Sequence, residues 1–454
     1  MLTQKKEITF WKTLFIGLLL FCIISIAGFS QEKMSFSLKE AQDYAIKNNL
    51  NVRSASLDVE IARKKIWETT AIGLPQVNAG VSYTNNLLLA TTLIPNFFQG
   101  KPDELIEVKF GTQHNANANI SANQLVFNGP YIVGLQAAGI FKRFSEQNLE
   151  KSEILVKEMV IQNFYLVLLS EETVKMLKAN YENLSRTLFE TRELYKNGFA
   201  EETDVDQLQV TVTSLENNIR SMKRQLEVSL NLLKYQMGLD HGTGIILTEN
   251  LGDILLRINL DVILTEDFQV NKHIDFKLMD TQEKLALLNL KKEKAEYLPS
   301  LSAFYTNQQT AMRDEFNFFN FDEKWFESSM LGFSFNIPIF SSGSKRSRIS
   351  QKRLELEKSI ITKHLLEQGL VLENQQARYD FSNALEKYKS EKENVNISKK
   401  VADRITLKYK QGVASSLELT QANNQYLQIQ GNLTTALVEL LNAKVRLDKA
   451  LNKL

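Results

Sequence analysis

Cysteine is almost absent: the 454 residues include one, Cys22, so no disulfide within the chain can staple the fold. Proline is nearly as scarce. Its six positions are Pro75, Pro95, Pro102, Pro130, Pro299 and Pro338, which leaves 131–298 and everything after 338 free of it. Proline costs about 3 kcal/mol inside a helix, so those stretches are open to helix formation. Charge of one sign is not in excess either, with 54 Lys+Arg against 53 Asp+Glu. That balance removes the basic face a nucleic-acid partner requires. The four histidines, His114, His241, His273 and His364, are scattered, and no pair has the spacing of metal ligands on a helix. No nucleophile–base pair, metal-ligand cluster or phosphate loop is recognisable, so the chain reads as non-enzymatic and without cofactor.

Long apolar runs are missing except at the N-terminus. Lys5, Lys6 and Lys12 precede an apolar run from Leu14 to Ala27, and the small residues Gly28 and Ser30 follow. This pattern predicts a cleaved export signal over 1–30, with an uncleaved anchor as the alternative. Phe21, just before Cys22, argues against a lipoprotein cleavage site, which takes a small residue there. Export leaves the periplasm, the outer membrane or the outside of the cell.

What the chain does contain, it contains twice. Tyr195-Lys196-Asn197-Gly198, followed by Asp204 and Gln207, recurs 214 residues later as Tyr409-Lys410-Gln411-Gly412, followed by Glu418 and Gln421. Leu74-Pro75 pairs with Leu298-Pro299. Val126-Phe127-Asn128-Gly129 pairs with Ile339-Phe340-Ser341-Ser342-Gly343. The series Leu208, Val212, Leu215, Ile219, Met222, Leu226 maps onto Ala422, Tyr426, Ile429, Leu433, Ala436, Leu440. The order of these matches marks a duplicated half. It divides the chain into a first repeat over 31–238, a linker over 239–269 and a second repeat over 270–454.

Each repeat predicts a helical hairpin, 131–237 and 345–451. Its first arm runs to Asn197 or Gln411 and, unbroken, reaches roughly 100 Å at about 1.5 Å per residue. Gly198 and Gly412 end these arms as helix-stopping glycines do. The apolar spacing of four, three, four, three along the second arm is a coiled-coil-like seam. A shorter helix opens each half. One runs from the N-cap Ser37, with Glu40 completing a capping box, to about Ala71; the other covers about 271–297.

Four windows have period two instead. Val77, Ala79, Val81 and Tyr83 alternate with Asn78, Gly80, Ser82 and Thr84. Ala116, Ala118, Ile120 and Ala122 alternate with Asn115, Asn117, Asn119 and Ser121. Leu301, Ala303 and Tyr305 alternate with Ser302, Phe304 and Thr306, where Phe304 breaks the polar set. Leu331, Phe333, Phe335 and Ile337 alternate with Gly332, Ser334, Asn336 and Pro338. This predicts two strand hairpins, about 74–127 and 298–340, each with one apolar face and one uncharged polar face. An outer-membrane barrel and a soluble sheet packed on helices both fit that pattern. Four strands cannot close a barrel alone, so a spanning sheet has to be shared between chains. The segments 96–109 and 312–327 then read as outward loops, with Phe97, Phe98, Phe316, Phe318 and Phe319 as rim anchors or loop packing.

The order of signal, helix, Leu-Pro, strand hairpin, Phe-x-Gly or Phe-x-x-Gly, long helix, Tyr-x-x-Gly, acid and helix, all repeated, resembles the TolC-like outer-membrane efflux family. The resemblance covers the whole chain after the signal. It implies a homotrimer with a shared twelve-stranded outer-membrane barrel seated in outer-membrane lipid. A periplasmic α-helical barrel continues that barrel to a periplasmic adaptor and an inner-membrane pump or ABC exporter. It implies a passive exit duct for efflux or type I secretion, gated at the periplasmic tip. Asp204 and Glu418 then match the acids that narrow the pore, and Tyr195 and Tyr409 the tyrosines that hold the closed tip. The turns at Gly198 and Gly412 match the tip where the adaptor docks. Two positions depart from the family's latch, Ala414 where an arginine can stand and Gln421 where a second acid can stand. From the residues alone, Asp204 and Glu418 read equally as helix-start acids. A periplasmic coiled-coil adaptor or structural protein is the competing function; it leaves the four strands unexplained.

Overall fold

The computed structural model describes residues 33–97, 100–257, 267–320 and 322–454. The expected signal over 1–30 with Cys22, part of the linker, and Phe98 lie outside the described residues. Sixteen elements besides one short 3-10 turn carry the argument. In the first repeat they are β1 Met34–Phe36, α1 Leu38–Asn48, α2 Leu50–Ala71, β2 Gln76–Asn85, β3 Thr91–Asn96, β4 Lys101–Lys109, β5 His114–Phe127, α3 Gly129–Lys196 and α4 Glu202–Met237. They continue with β6 Ile245–Leu247, α5 Leu251–Arg257, α6 Ile274–Ala295, β7 Ser300–Arg313, β8 Phe326–Asn336, α7 Ser344–Lys410 and α8 Ser416–Ala450. α3 and α7 contain 68 and 67 residues, and no proline lies beyond the first turn of either.

The chain divides into two compact units. The first holds Ser54–Ser152 and Gln269–Leu372. Its centre is an antiparallel sheet in the order β2-β5-β7-β8. The register pairs Val77 with Ala122 and Val81 with Ala118, Ala122 with Tyr305, and Tyr305 with Leu331. Directly paired residues share a face, so the four apolar sets lie on one side of the sheet and the Asn, Ser, Thr and Gly sets on the other. On the apolar side Val81, Leu331 and Phe333 are 83%, 74% and 72% exposed. Phe304, the exception to the alternation, is paired with Gly332. A Cβ at Gly332 would stand 2.6 Å from Phe304 Cζ. The ring lies over the glycine and fills the space its missing side chain leaves, which is why an aromatic sits on the polar side.

The segment 96–109, read from sequence as loop, is largely strand: β4 pairs with β3 through Thr91–Lys109 to Asn96–Lys101, with a bulge after Pro95. Phe316 and Phe318 are loop packing. Both rings contact Tyr83, at 5.3 and 5.7 Å between centroids, and Arg313 lies 5.2 Å over Phe318. In the same unit α6 is tied to α7 by Lys363, which reaches Asp280 at 2.7 Å and Glu283 at 3.0 Å. Hydrogen bonds from Lys284 and Lys363 hold the Asp280 carboxyl below its usual range.

The second unit holds the described residues up to Arg53 together with Glu153–Phe268 and Glu373–Leu454. The helix expected over 37–71 is here two helices. Asn49 is extended (φ −63°, ψ 131°) and breaks them. Its Oδ1 accepts from Asn51 N at 2.8 Å and its Nδ2 donates to Gln236 O at 2.7 Å. An asparagine that caps the next helix and bonds a neighbouring chain segment offers its backbone an alternative to the helical ladder. The capping box of Ser37 and Glu40 is present. β1 and β6 form a short parallel pair. Of the predicted seam on α4, Leu208, Val212, Leu215 and Ile219 are buried. Leu208, Val212 and Leu215 join Leu184, Leu188 and Leu419 in one cluster, with Tyr409, Ile405 and Leu427 packed against it.

Candidate aperture at the helical tips

The two hairpin turns are built alike because the same local sequence builds them. At the end of α3, Gly198 has φ 76°; its N–H donates to Tyr195 O at 2.9 Å and Phe199 N–H to Leu194 O at 2.9 Å. At the end of α7, Gly412 has φ 71°; its N–H donates to Tyr409 O at 2.9 Å and Val413 N–H to Lys408 O at 2.9 Å. Glycine is favoured at both because a Cβ is strained at positive φ. After each turn an acid sits at the third helical position and closes a capping box. Glu201 N–H donates to Asp204 Oδ2 at 3.1 Å, and Ser415 N–H to Glu418 Oε2 at 2.8 Å. The helix-start role weighed for these acids is therefore real. The Ser415 amide and hydroxyl hold the Glu418 carboxyl below its ordinary range.

Beyond the caps the two halves part. Asp204 turns its second oxygen, Oδ1, to the hydroxyl of Ser416, which lies 3.2 Å from Gln207 Oε1 as well. This links the start of α4 to the start of α8. Glu418, by contrast, is exposed. Tyr409 packs on the buried cluster and shares a 2.9 Å hydrogen bond with Thr191 Oγ1. Burial pushes its phenol above the ordinary range, and the nearby Asp204 charge adds to this. Tyr195 remains 42% exposed. The difference has a sequence cause: Thr191 faces Tyr409, whereas the position equivalent to Thr191 in the second repeat is Ile405, which offers no hydroxyl. A third link joins Lys410 to Glu190 at 2.8 Å.

Of the six predicted residues, Asp204 and Tyr409 thus enter one network between the repeats. Tyr195 and Glu418 stand outside it, and Gly198 and Gly412 form the turns. Thr191, Ser416, Glu190 and Lys410 were not anticipated. Lys410 stands inside the repeated motif, and the only signal for the other three is their position within two helical turns of it. Among the described residues no cluster of His, Cys, Asp and Glu is arranged to hold a metal. No helix there is long and apolar enough to cross a membrane, which says nothing of a β-barrel.

The sequence profile of the outer membrane efflux protein family matches residues 42–239 and 273–453, most of the chain. None of the curated proteins matches the sequence. Among solved structures the fold is similar to that of CusC, described with transmembrane channel formation, at 17% identity and TM-score 0.74, covering 94% of each chain. It is similar to the outer membrane protein VceC of Vibrio cholerae at 13% identity and TM-score 0.68, covering 91% of this chain and 95% of that one. The open state of the Neisseria gonorrhoeae MtrE outer membrane channel gives 17% and 0.68, covering 91% and 88%. Members of the matched family form trimers and work with adaptor and inner-membrane pump partners. The duplicated helical hairpins, the amphipathic sheet and the profile match lead to one conclusion: the chain belongs to the outer membrane efflux protein family and is a non-enzymatic exit duct of the outer membrane.

Proposed function

We propose that three copies of this chain close one barrel and one helical conduit, and that the helical tips gate it. The observation that carries this reading is the sheet. Its two outer strands, β2 and β8, each have a single partner among the described strands, and its apolar face is exposed. Unpaired strand edges are not tolerated in lipid, so β8 of one copy has to pair with β2 of the next. Three copies of a four-stranded sheet give about twelve strands, within the range of known outer-membrane barrels. The uncharged polar face then lines the lumen.

The helices support the same stoichiometry. Leu354, Ile361, Leu365 and Leu372 follow heptad spacing on one side of α7 and are 61%, 62%, 68% and 64% exposed. Such a seam is stable only against another helix. At the tip, Asp204 and Tyr409 lock the first repeat to the second within a chain. Glu418, exposed and repeated by the threefold symmetry, forms an acidic ring that favours cations. The adaptor docks on the turns at Gly198 and Gly412, where the equivalent residues Phe199 and Val413 are 81% and 71% exposed. The inner-membrane pump supplies the energy. The test is the mass of the detergent-extracted outer-membrane protein by native mass spectrometry. Three chains is the expected result, and a single chain, or a protein that needs no detergent, sinks the proposal.

A further inference from the structure

Within one chain the tip carries three cross-links between the repeats. Glu190 pairs with Lys410, Thr191 with Tyr409, and Asp204 with Ser416. The repeats are related by a shift of 214 residues, the distance from Gly198 to Gly412. In a closed ring of three duplicated chains, the first repeat of each copy has the second repeat of its own chain on one side. On its other side lies the second repeat of the neighbouring copy. The contact between copies is therefore made by the shifted residues. The shift takes Glu190 to Arg404 and Lys410 to Lys196. It takes Asp204 to Glu418 and Ser416 to Glu202, and it takes Thr191 to Ile405 and Tyr409 to Tyr195.

From these identities we infer that the tip opens along the three seams between copies, because each bond inside a chain is replaced there by repulsion or by no bond. Lys410 against Glu190 becomes Lys196 against Arg404, two cations. Ser416 against Asp204 becomes Glu202 against Glu418, two anions. Tyr409 against Thr191 becomes Tyr195 against Ile405, an apolar contact without a hydrogen bond. Lys196, Arg404, Glu202 and Glu418 are all exposed in the single chain. Neighbouring charges only soften the clash. Glu193 lies 2.7 Å from Lys196 on its own helix, and Lys408 acts on Glu418. Exposed pairs of this kind are weakened by solvent and salt. Each chain thus moves as a locked pair of hairpins, and the charge-lined seams are where an adaptor has to act to hold the tip shut or to open it.

The inference rests on the trimer proposed above, and the experiment separates the two. The full-length chain is expressed with Cys22→Ser, so that the assembled protein has no native thiol whether or not the expected signal is removed. Tyr195→Cys with Ile405→Cys then reports the seam between copies while leaving all four charges in place. Asn180→Cys with Gln430→Cys reports the contact inside a chain, where the native side chains are 3.0 Å apart. Under a mild oxidant the seam pair should give bands of two and three chains. Their rate of formation should rise about threefold between about 0.02 and about 0.5 M NaCl, as the repulsion is screened. Adding Glu202→Gln and Glu418→Gln should raise the low-salt rate to the same degree, and glutamine at both positions is compatible with the helix start. The intrachain pair should respond to neither change. A seam rate that ignores both salt and the Gln substitutions, or falls with salt, overturns the inference. So does the lack of a multi-chain band from a protein with the mass of three chains. A missing band together with a single-chain mass overturns the trimer instead.

Discussion

Tyr195 and Tyr409 occupy the same place in two copies of one motif, yet only one of them is bonded. The hydroxyl of Tyr409 meets Thr191, itself 1% exposed, at 2.9 Å. A half-buried hydrogen bond of this kind contributes about 1 kcal/mol net. Removing the hydroxyl by Tyr409→Phe should loosen the link between the repeats by that amount and raise single-channel conductance in planar bilayers. Tyr195→Phe should leave conductance near the starting value, because no hydrogen bond holds that hydroxyl among the described residues. Equal effects from the two substitutions would show that the unequal bonding at the tip has no bearing on the gate. The motif announced both tyrosines. Their inequality was not legible, because it depends on what stands at position 191 of the facing helix rather than within the motif.

At the scale of elements, the sheet shows how a break in a pattern can be a contact. Phe304 sits on the polar side of β7 because Gly332, its partner on β8, has no side chain, and the ring covers it. Gly332→Ala should force the ring away, costing about 1–3 kcal/mol as overpacking does. Phe304→Ala should destabilise by losing the covering ring. The pair together should cost less than the sum of the two, since neighbours that share a contact are not additive. The heat dissociation of the assembled protein on gels provides the measurement, and strict additivity would mean that ring and glycine do not interact. The helices teach the complementary lesson. Period and proline scarcity placed α3, α4, α7 and α8 to within two residues, because long helices follow from composition. The break at Asn49 is not legible in the sequence, because its local cap onto Asn51 is held by a tertiary bond to Gln236.

At the scale of the whole molecule, one chain is incomplete by itself. Among the described residues no helix is long and apolar enough to cross a membrane, so contact with lipid falls to the sheet. That sheet and the bare heptads of α7 are completed only when copies combine. Placing charge in that seam, by Ile361→Glu with Leu365→Glu, should therefore break the assembly. Each buried leucine-sized side chain is worth about 1.5–3 kcal/mol, and the new acids would be buried without a partner charge. Native mass spectrometry should then show a shift from three chains to one. Retention of the three-chain mass would place the contact between copies elsewhere on the helices.

The sequence by itself determined the duplication, the four amphipathic strands, the long helices and the turns at Gly198 and Gly412. All of these rest on local periodicity, on proline and on glycine, which act through the backbone of their own neighbourhood. Only the tertiary structure decided which acid and which tyrosine are engaged at the tip, that Ser416 is the partner of Asp204, and why an aromatic interrupts β7. The outcomes at the tip depend on residues some two hundred positions apart meeting between the two helical hairpins, and the aromatic of β7 depends on its cross-strand partner Gly332. At the tip one hydroxyl, present at Thr191 and missing at Ile405, separates a bond from a bare contact.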